Sequence, residues 1–376
     1  MARREPAAAD ERGWAAPPSA SRRGQRARRR RRPRPTTVRV TAGIVTWNSG
    51  PAVDGALASL AAQTHPDLEV VVIDNASTDD SPERARAHGV RVVAAAAANQ
   101  LVEQAWAAGS GALLLCNPDV RLEPDYVARA VAALSADPAR AAVQGRLWRF
   151  TPGEPAPPAH QRWIDTTGHV AFRTRLFRNR GEGQLDDGRY ASGEIFGVSG
   201  AVALYRLSAL TDVAVDGEAF DGQLFAYWED VDLDWRLQLR GWRAWYAADA
   251  RGWHERGGAG PRRSQMVETL NFVNRFAVII KNDDPAAFAR ASPGVALTTL
   301  LKTAELAVTV PRAFLRALPA LWRLRSALAQ RRVIQGRATV DPAVVIDRWF
   351  VPFDYGHWIR AYLRRVRRER ATRVRA

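Results

Sequence analysis

Two acidic residues in succession, Glu229 and Asp230, follow the aromatic run Phe225-Ala226-Tyr227-Trp228 and open a stretch of helical composition. Carboxylates among aromatic rings lose hydration, which favours the neutral acid, so one of them is suited to accept a proton from a reacting hydroxyl. Asp at such a position equally serves as a helix cap. A second pair, Asn117 and Asp119, flanks Pro118 after the apolar run Ala112–Cys116. Hard oxygen ligands at a turn suit Mg²⁺ or Mn²⁺ held jointly with phosphate oxygens, although Asn-Pro-Asp is also an ordinary turn sequence. His254, after Trp253, can offer a ring nitrogen to the same ion or be structural. Asp74 and Asn75 close the run Leu68–Ile73. Asp74 can accept hydrogen bonds from a base or ribose and Asn75 can hold a backbone turn; the same pair also makes an Asx turn ahead of a helix near Ser81. Trp47 ends the first apolar run and can stack on a base or fill core. His65, His88, His160, His169 and His357 stand in no comparable context and carry no assignment.

For these clusters to form one site, the elements beneath them must end together. Val38–Val45 runs into Thr46-Trp47-Asn48, Leu68–Ile73 into Asp74-Asn75, and Ala112–Cys116 into Asn117-Pro118-Asp119. Each apolar run reads as a strand buried on both faces. Val53–Ala62, Ser81–His88 and Asn99–Ala107 between them read as helices, so the order predicts an α/β fold: a mostly parallel sheet with right-handed crossovers and helices on both faces. Ligands of such sheets bind beyond the carboxyl ends of the strands, where all three polar clusters fall. Further on, the pattern predicts a strand over Gly197–Tyr205 and a helix from about Val231 to Arg240 closed by Gly241. A short strand Ala244–Ala247 follows, with His254 on the loop beyond it. A Pro-rich stretch at 152–158 and a Gly/Asp/Arg-rich stretch at 180–193 read as loops facing substrate.

Residues 286–332 are helical and basic. Leu297, Leu300, Leu301, Ala304 and Val308 recur at helical spacing, and Phe314, Leu315, Leu318, Leu321, Trp322 and Leu328 continue the stripe beside several arginines. Pro311 and Pro319 divide it into segments. Such a helix can lie in the headgroup plane of an anionic membrane, or pack on the catalytic body.

The net charge of +16 sits at the ends of the 376-residue chain. Residues 1–36 carry +9 and residues 358–376 carry +7, whereas 37–285 carry −6 and 286–337 carry +8. An acidic body without a recognition motif argues against a specific nucleic-acid binder acting through its Arg tails. Cys116 is the only cysteine, which excludes an internal disulfide and a cysteine-rich metal site and fits a reducing, cytosolic setting. Lys302 and Glu305 interrupt the best apolar run, so the expectation is a cytoplasmic protein, peripheral at the inner face of the membrane. The expected layout is a disordered basic tail over 1–36, a nucleotide-binding catalytic domain over 37–285, basic amphipathic helices over 286–337, and a C-terminal segment with a basic tail over 338–376. Neither a phosphate-binding Gly-x-x-x-x-Gly-Lys-Ser/Thr loop nor a Gly-x-Ser-x-Gly elbow occurs.

Four segments in order carry a family likeness: Ile44-Val45-Thr46-Trp47-Asn48, Val72-Ile73-Asp74-Asn75-Ala76-Ser77-Thr78-Asp79, Leu113-Leu114-Leu115-Cys116-Asn117-Pro118-Asp119-Val120 and Tyr227-Trp228-Glu229-Asp230-Val231-Asp232-Leu233. Together they resemble glycosyltransferase family 2, and within it the rhamnosyltransferase-like bacterial branch, over roughly residues 38 to 275. The resemblance implies a GT-A fold, an inverting reaction, a nucleotide-diphosphate sugar donor and a divalent cation. It implies an acceptor that is a polyprenyl-linked saccharide or a growing cell-surface glycan. By position it sets Thr46, Trp47 and Asn48 against the base, Asp74 on base or ribose, and Asn117-Pro118-Asp119 at the metal motif. Asp230 matches the base, Glu229 its acidic neighbour, His254 the late metal-side histidine, and Gly197–Ala201, with Gly200, the lining of the donor and acceptor pocket. Two departures stand out. Asn117 replaces the first Asp of the metal motif, and Ala94–Ala98 precede Asn99 and Gln100 where the family places Asn and Gly, leaving Asn99 as the donor-side candidate there. A nucleotidyltransferase on a related fold is the rival within enzymes, and it lacks its Gly-rich basic loop near the first strand.

Overall fold

The computed structural model describes residues 37–95, 98–151, 157–255 and 264–356. The basic tails expected over 1–36 and at the C-terminus, and most of the Pro-rich loop at 152–158, lie outside the described residues.

The apolar runs form the centre of the fold. Strands β1 (Val40–Thr46), β2 (Leu68–Asp74), β3 (Arg91–Ala94) and β4 (Ala112–Cys116) alternate with helices α1 (Ala52–Ala61), α2 (Ser81–Ala87) and α3 (Asn99–Ala107). All pairings among these strands are parallel, with Thr46 opposite Asp74 and Ile44 opposite Cys116, so β1, β2 and β4 end at one edge. Covering helices on both faces explains why nearly every residue of β1 and β4 is buried. β3 has no counterpart in the sequence reading: it is short and half-exposed at the sheet edge, and so lacks an apolar run.

Next come β5 (Val120–Leu122), α4 (Tyr126–Ser135), β6 (Arg140–Arg149), β7 (Ile164–Thr166), β8 (His169–Phe172), β9 (Phe177–Asn179), β10 (Gly193–Ile195), β11 (Val202–Arg206) and α5 (Leu207–Val213). The chain continues through α6 (Glu229–Leu239), β12 (Arg243–His254), α7 (Gln265–Asn282), α8 (Pro285–Thr309), α9 (Pro311–Ala320), α10 (Leu324–Gly336), α11 (Pro342–Trp349) and β13 (Phe350–Val351). The main sheet runs β10-β12-β6-β11-β4-β1-β2-β3, with β5 on β12 and β7 on β6; a second sheet runs β13-β8-β9. The expected strand over Gly197–Tyr205 begins only at Val202, because residues 197–201 are spent on turning and on binding α6. β12 reaches Arg243–His254, well past the expected Ala244–Ala247, because a register shift between Ala247 and Arg251 lets it continue along β6 and pair with β5. His254 is therefore on a strand end and not on a loop.

The C-terminal helices α8, α9 and α10 pack one face on the body. Ala287, Val295, Leu306, Ala313, Ala317, Ala327 and Ile334 are buried, and Arg331 donates to the carbonyls of Ile280 and Asp283 on and just past α7. Pro311 begins α9 and Pro319 lies in its last turn, so the divisions expected from the prolines are present. Leu297, Leu300, Val308, Leu315, Leu318, Trp322 and Leu328 remain exposed. Among the described residues no helix is long and apolar enough to cross a membrane.

Candidate active site

The carboxyl edge of the sheet gathers the polar clusters. Asp74, the last residue of β2, is buried; Thr46 Oγ1 donates to its Oδ1 at 3.0 Å and the Ser77 amide to its Oδ2 at 3.2 Å. Its carboxylate is thus aimed by the neighbouring strand and by its own turn. Trp47 is 49% exposed beside it, which removes the core reading and leaves a free aromatic face at the sheet edge. Asn48, in left-handed backbone at φ 50°, accepts from the Thr78 amide at 2.7 Å, and the Asn75 amide donates to the Thr46 carbonyl at 2.9 Å. Asn48 and Asn75 thus tie the β1 and β2 turns together. Asn99 is committed elsewhere: its amide donates to the Phe220 carbonyl at 2.7 Å and accepts from the Phe220 amide at 2.9 Å, bracing a distant loop.

Asp119 follows β4 and is buried. Because β12 pairs His254 with Val120, the imidazole arrives beside it, with Nε2 3.2 Å from Asp119 Oδ1. The other ring nitrogen, Nδ1, lies 2.9 Å from Asp165 Oδ2, a residue of β7 that the sequence reading did not single out. Burial alone would pull the imidazole down; the hydrogen bonds to Asp119 and Asp165 outweigh it and hold His254 up at about 9. A histidine oriented by a carboxylate on its far nitrogen is the arrangement that metal-binding histidines use. Among the described residues no group of three or more His, Cys, Asp or Glu side chains is arranged to hold a metal ion by itself. A cation at this turn would take Asp119, His254 after loss of its Nε2 proton, and further ligands from phosphate oxygens and water.

Asp230 stands in the first turn of α6. The helix starts at Glu229, two residues before the expected start, and its cap is Trp228 in left-handed backbone at φ 75°. The capping role considered for Asp230 does not apply. Instead its Oδ2 accepts from the Gly200 amide at 2.9 Å and its Oδ1 from the Val231 amide at 2.8 Å. Glu229 turns inward: its Oε2 is buried without a hydrogen-bond partner, and burial first, the Asp230 charge second, push its pKa well above the usual carboxylate range. The neutral acid is thereby favoured at Glu229, whereas both oxygens of Asp230 meet main-chain amides.

The loop before α6 is strained and held from outside. Phe225, Tyr227 and Trp228 all have positive φ, at about 1–3 kcal/mol each. The Asn274 amide on α7 donates to the carbonyls of Leu224, Ala226 and Tyr227 at 2.8, 3.0 and 2.9 Å, and Asn271 accepts from the Trp228 indole. Hydrogen bonds of about 0.5–1.5 kcal/mol each offset strain of that size. α7 also seats α6: Lys281 Nζ is 2.8 Å from Asp232 Oδ1, and the Asn282 amide donates to the same oxygen at 2.8 Å. Burial would raise Asp232, but Lys281 and Arg236 hold it below its usual value.

One dipeptide joins the two carboxylate clusters. The Gly200 amide binds Asp230 while the adjacent Ala201 carbonyl accepts from the Asn117 amide at 2.8 Å, so the metal-motif turn and the candidate base are one residue apart along the same backbone. Sequence reasoning missed the residue behind Asp230. His169 on β8 is buried, with Nδ1 2.7 Å from Asp234 Oδ2 and Nε2 3.5 Å from Asp230 Oδ2. The signal available was the i,i+4 spacing of Asp230 and Asp234, which puts two acids on one face of a buried helix and calls for a cation between them.

A parallel sheet whose carboxyl edge carries a turn-borne acid, with a helix-borne carboxylate beside it, is the frame of an α/β fold with its site beyond the strand ends. The family model "Glycosyl transferase family 2" matches residues 41–213. N-acetylglucosaminyl-diphospho-decaprenol L-rhamnosyltransferase of Mycobacterium tuberculosis is 31% identical over 233 residues, covering 56% of this chain and 74% of that protein. The chain belongs to glycosyltransferase family 2 and is a hexosyltransferase. GalNAc-T7, solved with UDP, GalNAc and Mn²⁺, superposes with a TM-score of 0.50 at 14% identity, covering 70% of this chain and 52% of that one; the shared fold is GT-A. A mannosyltransferase from Pyrobaculum calidifontis, solved with GDP-Man and Mn²⁺, gives 0.45 at 20% identity over 83% of this chain and 87% of its own.

Proposed function

We propose that this enzyme transfers a sugar, rhamnose being the first candidate, from a nucleotide diphosphate to a polyprenyl-linked saccharide or cell-surface glycan, with inversion at the anomeric carbon. The observation that carries the reading is the Gly200-Ala201 bridge, which binds Asp230 through one amide and the turn bearing Asp119 through the next carbonyl. Asp230 takes the proton of an acceptor hydroxyl, that oxygen forms the new bond to the anomeric carbon, and the bond to the diphosphate oxygen breaks with its electrons leaving on the nucleotide. Asp74 meets base or ribose, the exposed Trp47 stacks on the base, and Thr46, Asn48, Asn75, Asn117 and Gly200 shape the pocket. Asp119 and His254 hold Mg²⁺ or Mn²⁺, which when bound offsets the charge on the departing diphosphate. The acceptor class rests on the mycobacterial relative, whose name gives a decaprenol-linked substrate.

A polyprenyl tail keeps its saccharide at a bilayer, and the outer face of α8–α10 suits one. Leu300, Val308, Leu315 and Trp322 are 67%, 82%, 63% and 69% exposed, and Arg312, Arg316, Arg323 and Arg325 beside them are exposed as well. We place this face on the anionic inner leaflet, apolar side chains among the acyl boundary and guanidinium groups on phosphates. The functional test is nucleotide release from UDP-, dTDP- and GDP-sugars with Mg²⁺ or Mn²⁺ and a polyprenyl-diphospho-saccharide. Release that depends on the acceptor and yields an inverted linkage supports the reading; a transferred nucleotidyl group in the product would overturn it.

A further inference from the structure

Behind the candidate base lies a built cluster that the transfer reaction as described does not use. Asp234 is one helical turn after Asp230 and fully buried; the Val198 amide donates to its Oδ1 at 3.0 Å and His169 Nδ1 lies 2.7 Å from its Oδ2. Room for that carboxylate exists only because residue 197 is glycine: a Cβ there would fall 1.8 Å from Asp234 Oδ2. His169 is itself fixed by β8, its amide donating to the Gly197 carbonyl at 2.9 Å. With Nδ1 committed to Asp234, the Nε2 edge faces Asp230 Oδ2 at 3.5 Å, next to the Gly200 amide that already binds this oxygen.

The groups facing the imidazole are Glu229, Asp230 and Asp234, all from α6. Tyr205 on β11 closes the cluster with a buried hydroxyl that lacks a partner. The cations of β9 and its end point elsewhere, Arg178 over Phe353 and Arg180 over Tyr190 and Tyr246. A neutral imidazole donating to Asp234 would aim its Nε2 lone pair at a carboxylate oxygen, which is repulsive; the imidazolium donates to Asp234 and forms an ion pair with Asp230 at 3.5 Å. Burial opposes the charged ring, but Asp230, Asp234 and Glu229 together more than reverse this and hold His169 above its usual value.

Resting on the assignment of Asp230 as base, we infer that His169 is a positioning residue. Its imidazolium, seated by Asp234, and the Gly200 amide together lock the rotation of the Asp230 carboxylate toward the acceptor hydroxyl. The charge that does this is present while the ring is protonated and is lost as pH rises through the raised value, so turnover carries an alkaline limb belonging to His169.

The test is kcat against pH for wild type, His169→Gln and Asp234→Asn, with donor binding and melting temperature measured alongside. Glutamine keeps a donor but does not titrate: kcat falls about 10- to 100-fold near neutral pH, donor affinity stays unchanged, and the alkaline limb disappears. Asp234→Asn keeps shape while removing a carboxylate facing the ring, so the limb moves to lower pH; it serves as the second reading if His169→Gln folds poorly. Unchanged kcat in both variants, or a loss that leaves the alkaline limb where it was, overturns the inference. Asp230→Asn run in parallel separates the two ideas: full activity there removes the base assignment itself, whereas an inactive Asp230→Asn beside an unaltered His169→Gln removes only the role of His169.

Discussion

Replacing Asp230 with asparagine changes almost nothing in size and removes the proton acceptor, and the structure sets the scale of both consequences. In the wild type each carboxylate oxygen accepts one main-chain amide, Gly200 at 2.9 Å and Val231 at 2.8 Å. An asparagine side chain can accept only one of them and turns its NH₂ toward the other, leaving a half-buried amide unpaired at about 1–3 kcal/mol. A melting temperature lower by several degrees follows. The catalytic loss is larger: without a base, turnover falls about 10²–10⁴-fold, equivalent to about 2.7–5.4 kcal/mol of transition-state stabilisation. Asp74 and Asp119 are held by other groups, namely Thr46, Ser77 and His254, so donor binding should be nearly unaltered. The measurements are initial rates of nucleotide release at saturating donor and acceptor, donor affinity by calorimetry, and thermal unfolding. Retention of more than about a tenth of wild-type kcat in a folded variant refutes the base assignment, because general-base catalysis is worth more than that.

Asp119→Ala should weaken nucleotide-sugar binding as well as turnover, and excess chelator should abolish transfer in the wild type; full activity in chelator would contradict a metal shared between Asp119 and His254. Gly197→Ala drives a methyl into Asp234 and should cost about 2–4 kcal/mol, read as a lower unfolding midpoint in urea, whereas an unaltered midpoint would mean that Asp234 moves freely. Leu315→Glu with Trp322→Glu, both on exposed positions, should leave folding and soluble-donor binding intact while ending sedimentation with anionic vesicles. Deleting residues 1–36 should weaken that sedimentation less, since the tail offers charge without apolar area. Equal binding of the wild type to zwitterionic vesicles would count against the placement.

The central strands were legible because they are buried on both faces and therefore read as unbroken apolar runs ending in polar turns. The carboxyl-edge location of Thr46, Trp47, Asp74, Asn117 and Asp119 followed directly from the strand–helix alternation. What escaped was set by long-range pairing. β12 looked like a short strand because Ala248-Asp249-Ala250-Arg251 break its apolar pattern, yet pairing with β6 and β5 carries it through to His254. The first turn of α6 was misjudged by two residues since bulky aromatics at positive φ are poor helix starters, and the bonds that hold this geometry come from Asn271 and Asn274, 43 and 46 residues beyond Trp228. Asn48 and Asn99 carry structural bonds that the sequence did not reveal, Asn48 to the Thr78 amide and Asn99 to the Phe220 main chain. His169 was invisible because its partners, Asp230 and Asp234, lie 61 and 65 residues away in sequence.

Strand β13 backs both elements around Asp230 from outside. Phe350 packs against Trp235 of α6 with the rings tilted and their centroids 5.0 Å apart, and Phe350–Val351 pairs in parallel with Ala171–Phe172 of β8, the strand that bears His169. Both elements that flank Asp230 thus acquire an outer neighbour synthesised well over a hundred residues later. β1 to β4 pair without β13, whereas the outer contacts of the helix bearing Asp230 and of the strand bearing His169 run to residues 350 and 351. A variant truncated near residue 340 should therefore still bind donor while turning it over more slowly, because α6 and β8 lose the neighbour that backs them.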